Sequence, residues 1–182
     1  MAHFVIVEDD VSQLRSIAEG ITAAFPGAYV ILFDCEGAFH QHFDAIVASP
    51  PDVFIIDMIV RWSDLPVSSP LAKAPSGLSS YRAGRRIYEM ISGHPHLAHL
   101  PVIIYSTLEP ERYEDEFTLK PDNLMLVAKT NPLKPLLCSL LPNIPRRQPG
   151  SWIERMIEAT GASVKFAGLS IDLRQLLGKK RL

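Results

Sequence analysis

The stretch 53–57, VFIID, indicates the fold class of this 182-residue chain. Four consecutive apolar residues precede Asp57, and an apolar run without polar alternation is typical of a strand that is buried on both faces. Both faces of a strand are covered when helices lie on the two sides of a parallel sheet. The stretch therefore predicts a central strand of a parallel α/β sheet, with Asp57 at the carboxyl end of the strand.

Short apolar runs and helical patterns alternate on both sides of this stretch. The sequence predicts further strands at residues 3–7, 29–33, 102–105 and 124–128, and helices at 11–25, 36–48, 80–91, 109–117 and 132–141. The first helix should bury a face made of Val11, Leu14, Ile17, Ala18, Ile21 and Phe25. The helix at 80–91 should bury Ala83, Ile87, Met90 and Ile91. The order is (βα)₅, which predicts a doubly wound parallel sheet with right-handed crossovers.

Composition and charge narrow the class of protein. No run approaches the roughly 20 apolar residues that cross a bilayer, and acidic residues at 8–10 come too early for a signal peptide. Cys35 and Cys138 have no CxxC spacing, so we expect reduced thiols. These features predict a cytoplasmic protein without a membrane segment.

Polar side chains follow four of the predicted strands. Glu8 and Asp9 follow the first strand, Asp57 the third, Ser106 the fourth and Lys129 the fifth. Carboxyl ends of parallel strands meet at one edge of a sheet, where ligands bind. Clustered carboxylates repel one another unless a cation neutralises them, and Mg²⁺ prefers oxygen ligands. A carboxylate beside such an ion can attack a phosphoryl group, so the pattern predicts phosphoryl transfer to Asp57.

Simpler explanations remain open for each residue. Glu8 and Asp9 could be acidic residues at a helix N-terminus, which is the role that we expect for Asp10. Asp57 could end a strand without any chemical role, and Lys129 could be a solvated loop residue.

Four motifs in the same order resemble the receiver (CheY-like) domain of two-component response regulators, a flavodoxin-like fold. They are VIVEDD at 5–10, VFIIDM at 53–58, LPVIIYST at 100–107 and LVAKT at 126–130, and the resemblance covers about residues 3–142. It implies that Asp57 accepts a phosphoryl group from a histidine kinase or phosphotransfer protein. It also implies that Ser106 is the switch hydroxyl, a role for which Thr107 competes, and that Lys129 contacts the phosphoryl group.

The resemblance further implies a Mg²⁺ site formed by Glu8, Asp9, Asp57 and the backbone carbonyl of Met58. Phosphorylation would rearrange the segment after the fourth strand and change contacts with a downstream protein. The chain would then be a signalling protein and not an enzyme.

The chain departs from the family pattern at several positions. Forty-nine positions separate Asp57 from Ser106, and the excess falls at about 61–80, a stretch that could be a lid, a docking segment or an insertion without a role. Thr107 stands where the family favours a smaller residue that leaves room for water. Thr130 replaces the usual proline. Leu126 occupies the position of a switching aromatic, for which Tyr105 could substitute.

Residues 143–182 form a short extension. A proline-rich linker at 143–150 precedes two possible short helices. The whole extension has a net charge of +5, from eight Lys/Arg against three Asp/Glu. Forty residues without a helix-turn-helix pattern are not a recognisable output domain. We expect the extension to pack on residues 1–142 or on a second subunit in a homodimer, with DNA contact through its basic residues as the alternative.

The leading hypothesis is therefore a receiver that acts through protein contacts after phosphorylation of Asp57. The alternatives are an interaction module that works without phosphorylation, a transcription regulator whose tail binds DNA and, ranked last, a phosphatase, because the DxD pattern of such enzymes is missing. His94, His96 and His99 are expected to be surface residues and not metal ligands.

Overall fold

Five parallel strands form one sheet in the computed structural model, which describes residues 2–63, 82–117 and 122–131 together with Leu133 and Leu137. The strands are β1 (His3–Val7), β2 (Tyr29–Phe33), β3 (Val53–Ile56), β4 (Val102–Ser106) and β5 (Leu124–Ala128). Their order in the sheet is β2-β1-β3-β4-β5, and every neighbouring pair is parallel. This confirms the predicted doubly wound, flavodoxin-like sheet.

The strand β3 is central and buried on both faces, as its sequence predicts. Because side chains alternate along a strand, Phe54 and Ile56 join one core cluster while Val53 and Ile55 join the other. All four residues are at most 1% exposed. Burying each such side chain contributes roughly 1.5–3 kcal/mol, so the uninterrupted apolar run stabilises two helix layers at once.

Helix α1 (Val11–Ala24) begins at an N-cap formed by Asp10. One carboxylate oxygen of Asp10 accepts the N–H groups of Ser12 at 2.8 Å and Gln13 at 3.1 Å, which satisfies two amides of the first turn. The helix buries Leu14, Ile17 and Ile21. The expectation for Val11 was wrong, because this residue is 52% exposed. It occupies the first helical position, beyond the carboxyl edge of the sheet, where no strand covers it.

The predicted helix over 36–48 is two helices, α2 (Glu36–Gln41) and α3 (Phe43–Ala48). The break lies at His42, whose ring Nδ1 donates to the carbonyl of Ala38 at 2.8 Å. In a continuous helix that carbonyl would accept the amide of His42. The amide bonds Phe39 at 3.1 Å instead, so a side chain that competes with its own backbone ends the first helix.

Helix α4 (Ala83–Ser92) confirms most of the predicted helix at 80–91, whose first two residues lie outside the described part of the chain. It buries Ala83, Ile87, Tyr88 and Ile91 against β3 and β4, and Met90 packs on the same cluster while half-buried.

The predicted helix at 109–117 was wrong. The segment forms two 3₁₀ turns, Pro110–Arg112 and Glu114–Glu116. Like charges three or four residues apart oppose an α-helix, and this segment is rich in acidic residues. Tyr113 and Phe117 anchor it instead, at 2% and 7% exposure.

The remaining predictions fall largely outside the described residues. Leu133 and Leu137 have helical backbone, and Leu137 is buried in the cluster that contains α1. The rest of the helix expected at 132–141, most of the stretch 61–80, Cys138 and the extension at 143–182 are not described. Cys35 is buried, and its sulfur accepts the amide of Ala38 at 3.4 Å. Across the described ranges, no helix has the length and apolar character that crossing a membrane requires.

Candidate functional site

The three acidic residues predicted at the strand ends lie together at the carboxyl edge of the sheet. Glu8, Asp9 and Asp57 each offer one carboxylate oxygen, and these three oxygens lie within 4.8 Å of one another. The pairing of β1 with β3 brings them together, since the amide of Asp57 donates to the carbonyl of Val7 at 2.9 Å. Glu8 and Asp57 are 2% and 5% exposed, so the carboxylates are largely removed from water.

Lys129 bridges two of these carboxylates. Its Nζ lies 2.6 Å from Glu8 Oε2 and 2.6 Å from Asp57 Oδ2. The side chain is 9% exposed. The backbone of Lys129 is held by β4, because its amide donates to the carbonyl of Ser106 at 2.7 Å. A solvated loop position for Lys129 is therefore wrong.

Ser106 contacts the other oxygen of Asp57. Its Oγ donates to Asp57 Oδ1 at 2.7 Å, and the amide of Ile59 donates to the same oxygen at 3.0 Å. Ser106 is fully buried, whereas the Thr107 side chain is exposed. The structure thus brings Ser106, and not Thr107, to the carboxylate. Both oxygens of Asp57 have donors.

The charges of this cluster do not balance, since three carboxylates face one ammonium. Burial raises the pKa of Glu8, the bond to Lys129 lowers it, and repulsion from Asp57 raises it further. Burial also raises the pKa of Asp9, an effect that the bond from the Arg61 amide opposes. Burial alone would lower the pKa of Lys129, but hydrogen bonds to Asp57 and Glu8 outweigh it and raise the pKa.

The donor set suits a hard divalent cation. Carboxylate oxygens within reach of one another are the ligands that Mg²⁺ prefers, and a cation would offset the excess negative charge. The Met58 carbonyl, the predicted fourth ligand, accepts the amide of Gly84 at 3.3 Å. Only its second lone pair therefore remains for a metal.

Arg61 is a site residue that the sequence analysis missed. Its amide donates to Asp9 Oδ2 at 3.2 Å, and its guanidinium forms an ion pair with Asp34. Its carbonyl accepts the amide of Glu36 at 3.0 Å. Nothing in the sequence links Arg61 to these partners, because the contacts cross 25 or more positions and follow from the sheet order alone.

Residues on both sides of the long connection after Asp57 contact α2. The carbonyl of Trp62 accepts the amide of Gly37 at 2.9 Å, and the Arg86 guanidinium of α4 lies 5.8 Å from the centre of the Trp62 ring. Arg86 also forms an ion pair with Glu36 at 3.3 Å, without hydrogen-bond geometry. The connection therefore leaves and re-enters the described structure near α2.

Tyr105 and Leu126 pack on opposite faces of the sheet. Leu126 packs on the cluster that contains α4, while Tyr105 packs on the opposite face with α1. The Tyr105 hydroxyl lies 3.3 Å from the carbonyl of Lys129 and 3.1 Å from that of Asn131. The substitution of Tyr105 for the missing aromatic therefore stays a prediction, and it would have to act from the opposite face of the sheet.

Tyr113 is a second residue that the sequence analysis missed. It lies in the same cluster as Leu126, is 2% exposed, and its hydroxyl is buried without a hydrogen-bond partner in the described structure. Burial, followed by the charges of Asp57, Glu109 and Glu111, raises the pKa of Tyr113 to about 12. The four-residue spacing of Tyr113 and Phe117 was the feature of the sequence that could have indicated their burial on one side of this segment.

The three neighbouring histidines lie apart from this site. His96 and His99 are exposed, and His94 packs edge-on against Phe43 at 5.8 Å. Among the described residues, the group able to hold a metal is Glu8, Asp9 and Asp57.

Comparisons with known proteins agree on the fold. No protein-family model and no curated protein matches the chain. Among solved structures, the phosphorylated cyanobacterial phytochrome response regulator RcpA matches with a TM-score of 0.53 and 17% identity, over 89% of this chain and 96% of that one. The receiver domain of a DNA-binding response regulator from Colwellia psychrerythraea 34H matches with a TM-score of 0.54 and 17% identity, over 78% and 99%.

The Mn²⁺-bound form of response regulator Rcp1 matches with a TM-score of 0.50 and 16% identity, over 93% of this chain and all of that one (100%). At these identities the likeness concerns the fold, which is that of CheY-like receiver domains.

Proposed function

We propose that this chain accepts a phosphoryl group on Asp57, with Mg²⁺, and signals through changed protein contacts. The observation that carries the proposal is the set of contacts around one carboxylate. Lys129 Nζ and Ser106 Oγ contact the two oxygens of Asp57 at 2.6 and 2.7 Å, and Glu8 and Asp9 complete an acidic cluster. This cluster lies at the carboxyl edge of the parallel sheet, and ligands of such sheets bind at that edge.

The chemistry follows from these positions. An Asp57 oxygen attacks phosphorus and forms an O–P bond, while the bond from phosphorus to the donor nitrogen of a phosphohistidine breaks and its electrons stay on the imidazole. Lys129 and Ser106, which now contact Asp57, are placed to donate to the phosphoryl oxygens. When bound by Glu8, Asp9, Asp57 and the Met58 carbonyl, Mg²⁺ would neutralise charge on the carboxylates and the phosphoryl group.

The structural change that transmits phosphorylation to other parts of the protein would begin at Ser106. Its Oγ bonds Asp57 and lies 3.4 Å from the amide of Leu108, which donates to it. If Ser106 turns from the carboxylate to a phosphoryl oxygen, both contacts change. The signal would then pass to the connection between β4 and β5, where Tyr113 is buried beside the site.

The proposal includes an organisation of the chain and its partners. Residues 1–142 would be the receiver unit and 143–182 a short extension. The phosphoryl donor would be a histidine kinase or phosphotransfer protein in the cytoplasm, and the recipient of the signal a downstream protein or a second copy of the chain. DNA contact through the basic extension is the less favoured alternative.

One observation favours a second function, an interaction module that needs no phosphorylation. Three donors, from Ser106, Ile59 and Lys129, already satisfy Asp57. Such a closed network could stabilise the fold as it stands. The two functions differ in whether Asp57 reacts.

The test is labelling with acetyl phosphate in the presence and absence of Mg²⁺, followed by intact mass. We expect Mg²⁺-dependent phosphorylation of the wild type and none in Asp57→Asn. Asp44→Asn is the matched control, because Asp44 is exposed on α3 and should label like the wild type. If the wild type stays unlabelled, and beryllofluoride with Mg²⁺ leaves its NMR spectrum unchanged, the interaction module becomes the better hypothesis.

A further inference from the structure

We infer that Tyr105 is a positioning residue for Lys129, and that its hydroxyl holds the turn that places the Lys129 ammonium against Asp57. The inference rests on the proposed function, in which that ammonium contacts the phosphoryl group. Tyr105 itself touches neither Asp57 nor the metal ligands in the contacts described above. It acts through the backbone of residues 129–131.

The contacts of Tyr105 converge on this turn. Its hydroxyl oxygen lies 3.3 Å from the carbonyl oxygen of Lys129 and 3.1 Å from that of Asn131. A phenol has one proton to donate, and a carbonyl only accepts. The Tyr105 hydroxyl therefore donates to both carbonyls in one shared hydrogen bond or to each of them in turn. The amide of Asn131 returns to the carbonyl of Ala128 at 2.9 Å, which closes the turn.

Two consecutive residues of β4 therefore hold Lys129 from both sides of its backbone. The carbonyl of Ser106 accepts the Lys129 amide at 2.7 Å, and the Tyr105 hydroxyl reaches the Lys129 carbonyl. The hydroxyl of Ser106 meanwhile bonds Asp57 at 2.7 Å. The same strand end thus positions both the acceptor carboxylate and the backbone that carries the ammonium.

The position of this turn matters because it determines where the Lys129 ammonium lies. Strand pairing ends at Ala128 opposite Ser106, so Lys129 is the first residue beyond the ladder. Its flexible four-carbon side chain must bring Nζ within 2.6 Å of Glu8 and Asp57 at once. Thr130, unlike a proline, leaves its φ angle unrestrained. The restraint must therefore come from contacts, and Tyr105 supplies one.

The ring and the hydroxyl of Tyr105 have separable roles. The half-buried ring packs in the cluster that contains Phe4, Ile6 and Ile103. Burial raises the pKa of the hydroxyl, so it keeps its proton and remains a donor. Phenylalanine at this position preserves the packing and removes only the donor.

The experiment compares the full-length wild type with Tyr105→Phe. The rate of phosphorylation by acetyl phosphate is measured at saturating Mg²⁺, and Mg²⁺ affinity is measured separately by calorimetry. We expect the rate to fall about tenfold, because loosely held catalytic groups lose rate steeply. Mg²⁺ affinity should stay within about twofold, because the ligands Glu8, Asp9 and Asp57 are untouched.

Tyr88→Phe is the matched control. Tyr88 is a second tyrosine, 8% exposed, whose hydroxyl bonds Ser92 on α4 and lies outside the Lys129 turn. Tyr88→Phe, which removes this hydroxyl, should leave the rate of phosphorylation unchanged. Thermal unfolding of both variants verifies that each is folded before rates are compared.

The outcomes separate the inference from the proposed function. An unlabelled wild type overturns the proposed function and the inference with it. A labelled wild type with an equally fast Tyr105→Phe overturns the inference alone. A parallel loss of rate and Mg²⁺ affinity in Tyr105→Phe also overturns it, because that result means general loosening of the site.

Discussion

Gly84 packs so closely on Asp57 that a Cβ atom added to residue 84 would lie 2.1 Å from the Asp57 carbonyl oxygen. It would also lie 2.8 Å from the Cα of Met58. The Gly84 amide donates to the Met58 carbonyl at 3.3 Å. The first turn of α4 therefore rests directly on the backbone that carries the acceptor carboxylate, and only glycine permits that approach.

Gly84→Ala should destabilise the protein by about 1–3 kcal/mol or more, the usual cost of overpacking. The reason is that the added Cβ meets backbone atoms of Asp57 and Met58, which cannot move aside as a flexible side chain can. The substitution should also weaken Mg²⁺ binding, since Asp57 and Met58 must shift. Gly20→Ala is the control, because no atom lies within 4 Å of the added Cβ in the middle of α1. That change should stabilise by about 0.5–1 kcal/mol. Urea unfolding measures both, and a Gly84→Ala protein as stable as the wild type would contradict the packing.

Mg²⁺ affinity should increase as the pH rises from about 5 to 8, because a metal binds only deprotonated carboxylates. The pKa values of Glu8 and Asp9 are raised, so protons compete with the metal at higher pH than usual. In the metal-free protein, the free energy of unfolding should instead decrease as the pH rises. A carboxyl group whose pKa is higher in the folded state than in the unfolded state contributes stability below its unfolded-state pKa. This contribution is lost as the pH rises through the folded-state pKa. Calorimetric titrations and unfolding curves across this range test both trends. A pH-independent Mg²⁺ affinity would contradict the first, and a metal-free stability that rises with pH would contradict the second.

The cluster's single ammonium should matter more to stability than any one of its carboxylates. Without Mg²⁺, Lys129→Gln leaves Glu8 and Asp57 unpaired and should cost about 3 kcal/mol. Asp57→Asn removes a repulsion that raises the pKa of Glu8 and Asp9, and should stabilise. Added Mg²⁺ should recover part of the loss in Lys129→Gln. Chemical denaturation with chelator and with Mg²⁺ measures these effects, and a destabilised Asp57→Asn would show that Lys129 already neutralises the cluster.

Much of the site could be predicted from the sequence because it depends on strand ends. The apolar runs before Glu8, Asp57 and Ser106 define buried strands, and parallel pairing then requires their carboxyl ends to share one edge. Lys129 follows by the same reasoning. These placements need only the alternation of elements, which apolar periodicity reports.

The rest could not be predicted, because periodicity reports burial and not hydrogen-bond partners. The break at His42 depends on one ring bonding the carbonyl of Ala38. The contact of Arg61 with Asp9 and that of Tyr105 with Lys129 join distant positions through polar atoms. No pattern of apolar residues records such pairs.

Tyr113→Phe should stabilise the protein by about 1 kcal/mol, because a buried hydroxyl without a partner costs its desolvation. Tyr113 is 2% exposed and its ring packs edge-on against Phe117 at 6.2 Å, a contact that phenylalanine keeps. Tyr88→Phe is the control, since it loses a bond to Ser92 and should not stabilise. Thermal unfolding at matched conditions compares them. A destabilised Tyr113→Phe would mean that the hydroxyl has a partner in solution.

Thr107→Ala should shorten the lifetime of the phosphorylated protein severalfold. Thr107 directly follows Ser106 and is exposed where the acceptor edge meets solvent. We expect its β-branched side chain to narrow the approach for a water molecule that attacks the phosphoryl group from outside, and alanine removes two heavy atoms from that side chain. Thr22→Ala is the matched control, because Thr22 is an exposed threonine on α1, outside the acceptor site. Loss of label is followed by intact mass after acetyl phosphate is removed. Equal lifetimes for Thr107→Ala and the wild type would show that the Thr107 side chain does not limit the access of water to phosphorylated Asp57.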